Sequence, residues 1–266
     1  MNKLLKNNRF LISRRIVQVS LIILFAGGNV FGWNILRGNL SAASILDSVP
    51  LSDPFATLQI VLAGGVVLLD LWLGALIVII LYGLIFGRAF CSWICPVNPI
   101  IDLARWIKKK SHLSFIKLPV TRNFRYYFVF LSLLLSIILG YAAFELISPV
   151  SLLYRGLVFG IGLGWGFIVA IFLFEIMVTE RLWCSRICPL GGSYSIISQR
   201  NILKVYHSEE NCTRCNLCFD VCPEVQVLKR VGKSSGTISN GACTNCARCI
   251  EVCEDKALKF SIFKRH

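Results

Sequence analysis

A chain of 266 residues that is 56% hydrophobic and only 16% charged is too apolar for an ordinary water-soluble domain, and its apolar residues are gathered in runs. The formal net charge of +14 carries no nucleic-acid reading, because most of the excess lies beside those runs, where topology and anionic lipid account for it. The expectation is an α-helical polytopic membrane protein in contact with the lipid bilayer, with no nucleic-acid partner.

Four runs approach or exceed the ~20 residues that cross a hydrocarbon core of about 30 Å. They are 16–36, 66–86, 126–147 and 157–179, and they predict four transmembrane helices. The apolar stretch 55–65 runs into the second and either lengthens it or lies along the interface. Lys3, Lys6, Arg9, Arg14 and Arg15 precede the first run, and Arg88, Arg105, Lys108, Lys109, Lys110, Lys117, Arg122 and Arg125 crowd the loop after the second. The first connection has Arg37 against Asp47 and Asp53, and the third has only Arg155. Basic loops stay inside. The chain is therefore expected to be multi-pass in a bacterial inner (cytoplasmic) membrane, with both termini and the central loop cytoplasmic. Ser41-Ala42-Ala43 faintly resembles a signal-peptide cleavage site, but the first run exceeds the usual signal core, which points to a retained span.

Two stretches repeat one pattern, R-x-[FW]-C-S-x-I-C-P-[VL]. They run Arg88-Ala-Phe-Cys91-Ser-Trp-Ile-Cys95-Pro96-Val97 and Arg181-Leu-Trp-Cys184-Ser-Arg-Ile-Cys188-Pro189-Leu190. Each follows an in–out–in pair of runs, so residues 1–200 read as a membrane domain of two parallel repeats, about 1–100 and 120–195, with corresponding motifs at the same depth. Proline disfavours helix at the residue before it, so each motif marks a helix end. The four thiols Cys91, Cys95, Cys184 and Cys188 are either additional metal or cluster ligands, forming a further metal centre, or a redox-active or partner-docking dithiol pair, or inert.

The other eight of the twelve cysteines form two strings near the C-terminus, Cys212-x2-Cys215-x2-Cys218-x3-Cys222-Pro223 and Cys243-x2-Cys246-x2-Cys249-x3-Cys253. This is the ligand spacing of a two-cluster bacterial ferredoxin, in which the fourth cysteine of each string crosses to the other cluster. Zinc sites come instead as separated C-x2-C pairs. One 4Fe-4S cluster is thus expected on Cys212, Cys215, Cys218 and Cys253, and the other on Cys243, Cys246, Cys249 and Cys222. Residues 205–266 are expected to form an α+β two-cluster ferredoxin-like domain in a reducing compartment. The second string ends Cys253-Glu254 where proline is usual, which bears on that cluster's exposure and potential. Small domains of this kind depend on their metal to fold.

Four spans, two C-x3-C-P motifs and the paired strings together resemble the NapH family, the ferredoxin-type quinol dehydrogenase membrane subunit of periplasmic nitrate reductase systems. The likeness is closest at Cys91-Ser-Trp-Ile-Cys95-Pro96-Val97-Asn98-Pro99 and Cys188-Pro189-Leu190-Gly191-Gly192 and covers nearly the whole chain. The resemblance implies an electron-transfer subunit that takes electrons from menaquinol or ubiquinol toward a periplasmic reductase, with a periplasmic iron–sulfur partner subunit. Since the clusters are expected inside and the reductase outside, the four motif cysteines are an attractive relay across the membrane.

Quinol oxidation also requires proton acceptance, and Asp70, Glu145 and Glu175 are the carboxylates within or near the spans; no residue is singled out as catalytic. The alternative is a copper reductase or oxidase-assembly factor using the same ferredoxin domain. Its ligands would be soft ones, yet the methionines are Met1 and Met177 and the histidines His112, His207 and His266, none paired at ligand spacing. With no histidine inside a span, haem b is not expected. A membrane redox sensor would need an output domain, and none is visible among the 266 residues.

Overall fold

The structure, a computed structural model, describes residues 8–111, 121, 123–160, 162–178 and 181–262. Met1, Lys3, Lys6, His112, Lys117, Arg122, His266 and the end of the fourth apolar run lie outside the described residues.

In chain order, α1 (Arg9–Val30) leads to an antiparallel meander of β1 (Leu36–Gly38), β2 (Ala42–Ile45) and β3 (Val49–Ser52), then α2 (Pro54–Leu62) and α3 (Leu69–Val78), which continues as a π-helix over Ile79–Ile85. Next come α4 (Phe90–Trp93), α5 (Val97–Lys110), α6 (Phe124–Leu139), α7 (Ala143–Ile147), α8 (Pro149–Phe159) and α9 (Gly162–Met177). A second π turn (Trp183–Ile187) and α10 (Pro189–Ile197) precede β4 (Leu203–His207), α11 (Leu217–Val221), β5 (Gly236–Thr237), α12 (Arg248–Val252) and β6 (Leu258–Ile262).

Of the four predicted spans, α1 alone among the described residues is long and apolar enough to cross a membrane by length and composition; Leu69–Ile85, Phe124–Leu139 and Gly164–Met177 are apolar but shorter. The shortening has local causes. Gly140 takes the left-handed conformation (φ 72) and caps α6, splitting the third run, and Gly160 (φ 69) does the same to the fourth. The 55–65 stretch forms its own helix: the Asp53 carboxylate accepts from the amides of Phe55 (3.4 Å) and Ala56 (3.2 Å), and proline opens the first turn.

The apolar helices expose large apolar side chains and keep their few polar groups inside, beside buried apolar residues such as Ala75, Ile168 and Ile171. On α6 the buried positions include Arg125, Ser132 and Ser136, while Tyr127, Phe130, Leu131, Leu134 and Ile138 are exposed. On α9 Glu175 is buried, whereas Val169, Leu173, Phe174 and Met177 face outward. An exposed face this apolar is not that of a helix on a water-soluble protein, which turns charged and polar residues outward.

The chain gathers into two compact units, each drawn from several stretches. One comprises Val19–Ile79 and Cys95–Ser193. Inside it the meander packs on α3, and Ser52 Oγ donates to the Leu71 carbonyl over 2.6 Å. Phe25, Leu36 and Tyr154 form a small core, with the Tyr154 hydroxyl donating to the Gly38 carbonyl at 2.6 Å. Buried Gln59 accepts from Ser136 Oγ (3.1 Å) and from the Phe144 amide (3.0 Å), tying α2 to α6 and α7.

The other unit comprises Met1–Gln18, Ile80–Ile94 and Tyr194–His266. Its sheet has the order β5-β4-β6 and is antiparallel throughout, with β4 and β6 in register from Leu203↔Ile262 to His207↔Leu258. Val205, Val227, Leu228, Val231, Ile238 and Leu258 form its core, against which Cys218, Cys222, Cys243 and Cys253 pack. The unit is larger than the 205–266 tail, because it takes in the start of α1 and the whole stretch that carries Arg88 and Cys91.

Candidate iron-sulfur site

Each cysteine string is coiled by two residues in the left-handed region at matching places. In the first these are Arg214 (φ 58) and Asn216 (φ 63), and in the second Asn245 (φ 46) and Ala247 (φ 60). Left-handed backbone is unfavourable for arginine and alanine, by roughly 1–2 kcal/mol per residue. Its recurrence in both strings marks a turn whose shape serves its sulfurs. A short helix follows in each case, α11 and α12, and the fourth cysteine lies just beyond it.

Two cavities result. One is lined by Cys212, Cys215, Cys218 and Cys253; the other by Cys222, Cys243, Cys246 and Cys249. The fourth cysteine of each string thus lines the cavity of the other. Burial, and then neighbouring sulfurs, push the Cys218 thiol up to about 11 and the Cys222 thiol up to about 12. Burial likewise takes Cys243 up to about 12 and Cys249 well above the ordinary thiol range. Four thiolates are unfavourable in such a place without cations among them. The donor set and the cavities therefore fit cubane iron–sulfur clusters, whose irons supply that positive charge.

The two cavities differ in exposure. Around the first, Thr213, Arg214, Cys215, Asn216 and Leu217 are all exposed; around the second, Thr244, Asn245, Cys246 and Ala247 are all buried. His207, fully buried, lines the first; its Nδ1 lies 3.0 Å from the Ser234 carbonyl, and Nε2 accepts from the Gly232 amide at 3.4 Å.

The second cysteine loop is covered by the first copy of the repeated motif. Arg88 donates to Glu224 Oε1 at 2.8 Å and to the Ala242 carbonyl at 3.4 Å. Ser92 Oγ donates to the Thr244 carbonyl (2.7 Å), the Trp93 indole N–H to the Asn245 carbonyl (3.1 Å), and Asn245 Nδ2 to the carbonyls of Phe86 (2.8 Å) and Leu203 (2.9 Å). Gly87 permits the approach: its φ is +66, and a Cβ there would lie 2.5 Å from Asn201 Nδ2. At the start of α1, the amides of Phe10 (2.6 Å) and Leu11 (3.0 Å) donate to Glu251 Oε1, so a carboxylate from between Cys249 and Cys253 caps that helix.

The second motif copy is built differently. Its Trp183–Ile187 stretch is a π turn where the first copy is α-helical, and Arg181 pairs with Asp102 of α5 at 2.8 Å. Cys91 belongs to the unit of the strings, whereas Cys95, Cys184 and Cys188 belong to the other. Nothing in this arrangement supports a further metal centre at these four.

Two of the three carboxylates expected near a quinol have structural partners. Glu175 accepts from the Trp183 amide at 2.7 Å and so caps the second π turn. Glu145 accepts from Ser41 Oγ (2.6 Å) and Ser151 Oγ (2.5 Å), and Asp70 is exposed in the first turn of α3. The residues the sequence reading passed over are Glu224, Asn245 and Asp102. The repeated arginine was the one signal of them, since two buried guanidiniums each need an anion.

Comparison with known proteins places these features. The 4Fe-4S binding domain family matches twice, over residues 68–114 and 158–205, one copy of the motif in each, and the 4Fe-4S dicluster domain family matches residues 204–254. The methylamine utilization ferredoxin-type protein MauN of Methylorubrum extorquens is 38% identical over 235 residues, covering 88% of this chain and 82% of the relative. The ferredoxin-type protein NapH of Escherichia coli is 40% identical over 225 residues (84% and 78%), and that of Haemophilus influenzae 36% over 223 (84% and 77%). No solved structure matches the chain.

Proposed function

Because the chain belongs to the family of ferredoxin-type 4Fe-4S electron-transfer proteins that includes NapH and MauN, we propose that it is the membrane-bound iron–sulfur subunit of a quinol dehydrogenase. It passes electrons from menaquinol or ubiquinol toward a periplasmic reductase, nitrate reductase in the first instance, through a periplasmic iron–sulfur partner subunit. Cys212, Cys215, Cys218 and Cys253 hold one cluster and Cys222, Cys243, Cys246 and Cys249 the other. Each cluster, when bound, carries one electron at a time, so the pair takes the two electrons of one quinol while its two protons leave as the quinone forms.

The observation that carries this reading is the clasp between the motif that ends an apolar helix and the second cysteine loop. It joins residues next to the bilayer to residues around a cluster. The outward apolar faces of α1, α3, α6 and α9 support four transmembrane helices, with the basic loop and both termini cytoplasmic. Alkaline phosphatase fused after Leu62 is then active, and fused after Ser111 inactive.

The direct test is anaerobic purification in detergent, addition of a reduced menaquinone analogue without copper, and EPR. Reduction of the iron–sulfur signals on a catalytic timescale supports quinol oxidation by this chain. Reduction by dithionite but not by quinol opposes it and favours the copper-reductase alternative. Iron counting bears on Cys91, Cys95, Cys184 and Cys188: two clusters hold about eight irons per chain. A higher ratio that falls when these four become serine establishes a further centre there.

The MauN likeness, 38% over 235 residues, favours a second reading in which the same electron-transfer chemistry serves methylamine utilization. A deletion strain separates the two. Loss of growth on methylamine with nitrate respiration intact selects the second.

A further inference from the structure

Arg88 and Glu224 form an ion pair at 2.8 Å in which each side chain is only 2% exposed. Glu224 lines the cavity of Cys222, Cys243, Cys246 and Cys249 and lies two positions after Cys222. Arg88 also bonds the Ala242 carbonyl, next to Cys243, and its side chain meets that of Cys91 in the repeated motif. The pair therefore stands between a motif cysteine and the second cysteine cavity, buried from bulk solvent, where screening is weak.

We propose that the Arg88–Glu224 ion pair sets the reduction potential of the cluster held by Cys222, Cys243, Cys246 and Cys249, with Arg88 the positioning residue that offsets the Glu224 charge. The proposal rests on the assignment of those four cysteines to one cluster. A cluster gains one negative charge when it takes an electron. A carboxylate on its wall opposes that step, and a guanidinium against the carboxylate restores it. Stability alone is a poor reason for the pair, since a buried ion pair is often replaceable by apolar residues without loss. Its counterpart in the second motif copy, Arg181 with Asp102, lines neither cysteine cavity and serves as the control.

The test is an EPR-monitored redox titration of the full-length protein in detergent, with the second cluster's signal assigned by its change in Cys246→Ser. Glu224→Gln is expected to raise that cluster's midpoint potential, Arg88→Gln to lower it, and the double variant to return it close to the parent value. Arg88→Lys should keep most of the parent value. The first cluster's potential stays put in all four, and Arg181→Gln moves neither. Should Arg88→Gln lose its iron, Glu224→Gln and the double variant, which contains no unpaired buried charge at this place, still decide. Shifts of the same sign in both single variants, equal shifts in both clusters, or no shift in Glu224→Gln would overturn the proposal. A parent protein with only one EPR-visible cluster would instead overturn the cluster assignment.

Discussion

The Trp93 indole N–H donates to the Asn245 main-chain carbonyl over 3.1 Å, although 152 positions separate the two residues in the chain. Asn245 is left-handed and immediately precedes Cys246, so the bond holds the part of the turn that aims a sulfur into the second cavity. The adjacent Ser92–Thr244 bond at 2.7 Å makes the contact bidentate along the loop. Residues that the sequence places at the end of an apolar run are thereby bonded to Thr244 and Asn245, which line a cysteine cavity.

Trp93→Phe keeps the ring and removes the donor, leaving the Asn245 carbonyl without it. The expected cost is about 1 kcal/mol, the net worth of one such bond. Denaturant-induced bleaching of the iron–sulfur absorbance should shift to lower denaturant with the iron content per chain unchanged. An unchanged midpoint would remove the clasp from the account of cluster retention.

Removing iron should unfold more than the tail. Neutral thiols do not replace what cations supply in cavities where burial pushes Cys222 and Cys243 up to about 12, and the metal is part of the folding free energy of such units. The Ile202 amide donates to the Leu84 carbonyl at 2.6 Å, and Asn245 bonds Phe86, so 84–94 should lose protection with 202–262. Hydrogen exchange after anaerobic chelation is expected to show this while α6 stays protected. Protection retained at 84–94 would mean that this stretch is held independently of the metal.

The cysteine strings were legible because cluster ligation dictates spacing, and spacing is all a linear sequence displays. The crossing of Cys222 and Cys253 to opposite cavities follows from that same pattern. The break at Gly140 was not, because a left-handed glycine within an apolar run leaves no mark on hydropathy. Nor was the meander over 36–52, whose strands are short and whose register depends on Arg37↔Ser44 and Ala43↔Leu51 pairing. The Arg88–Glu224 pair escaped because its partners are 136 positions apart; only the repetition of arginine before each motif hinted that the charge had a use.

The two clearest ion pairs of the Val19–Ile79 and Cys95–Ser193 unit should differ in worth. Arg181 and Asp102 are 7% and 14% exposed, whereas Arg37 and Asp47 are 43% and 46% exposed. Arg181→Ala strands a largely buried carboxylate and is expected to cost about 3–5 kcal/mol. Arg37→Ala should cost at most about 1 kcal/mol, and less in high salt. Unfolding in detergent, followed by tryptophan fluorescence at two salt concentrations, compares them; similar losses would contradict the burial argument.

Leu131, near the middle of α6, is 46% exposed, while Ser132 beside it is 8% exposed. In water an aspartate at such an outward position changes stability little, because the carboxylate stays solvated. In lipid the same change puts a charge against hydrocarbon, at a cost of about 2.5–3.5 kcal/mol near a helix centre. Leu131→Asp is therefore expected to cut the amount of protein recovered in carbonate-washed membranes severalfold, and Leu131→Phe to leave it unchanged. The inward counterpart runs the other way. Gln59→Leu makes a buried position more apolar but deprives the Phe144 amide and the Ser136 hydroxyl of their shared acceptor. It should lower the unfolding midpoint in detergent, by about 1–2 kcal/mol, without affecting membrane recovery. If Leu131→Asp is recovered as well as the parent, the outward face of α6 does not meet lipid, and the four-helix reading fails with it.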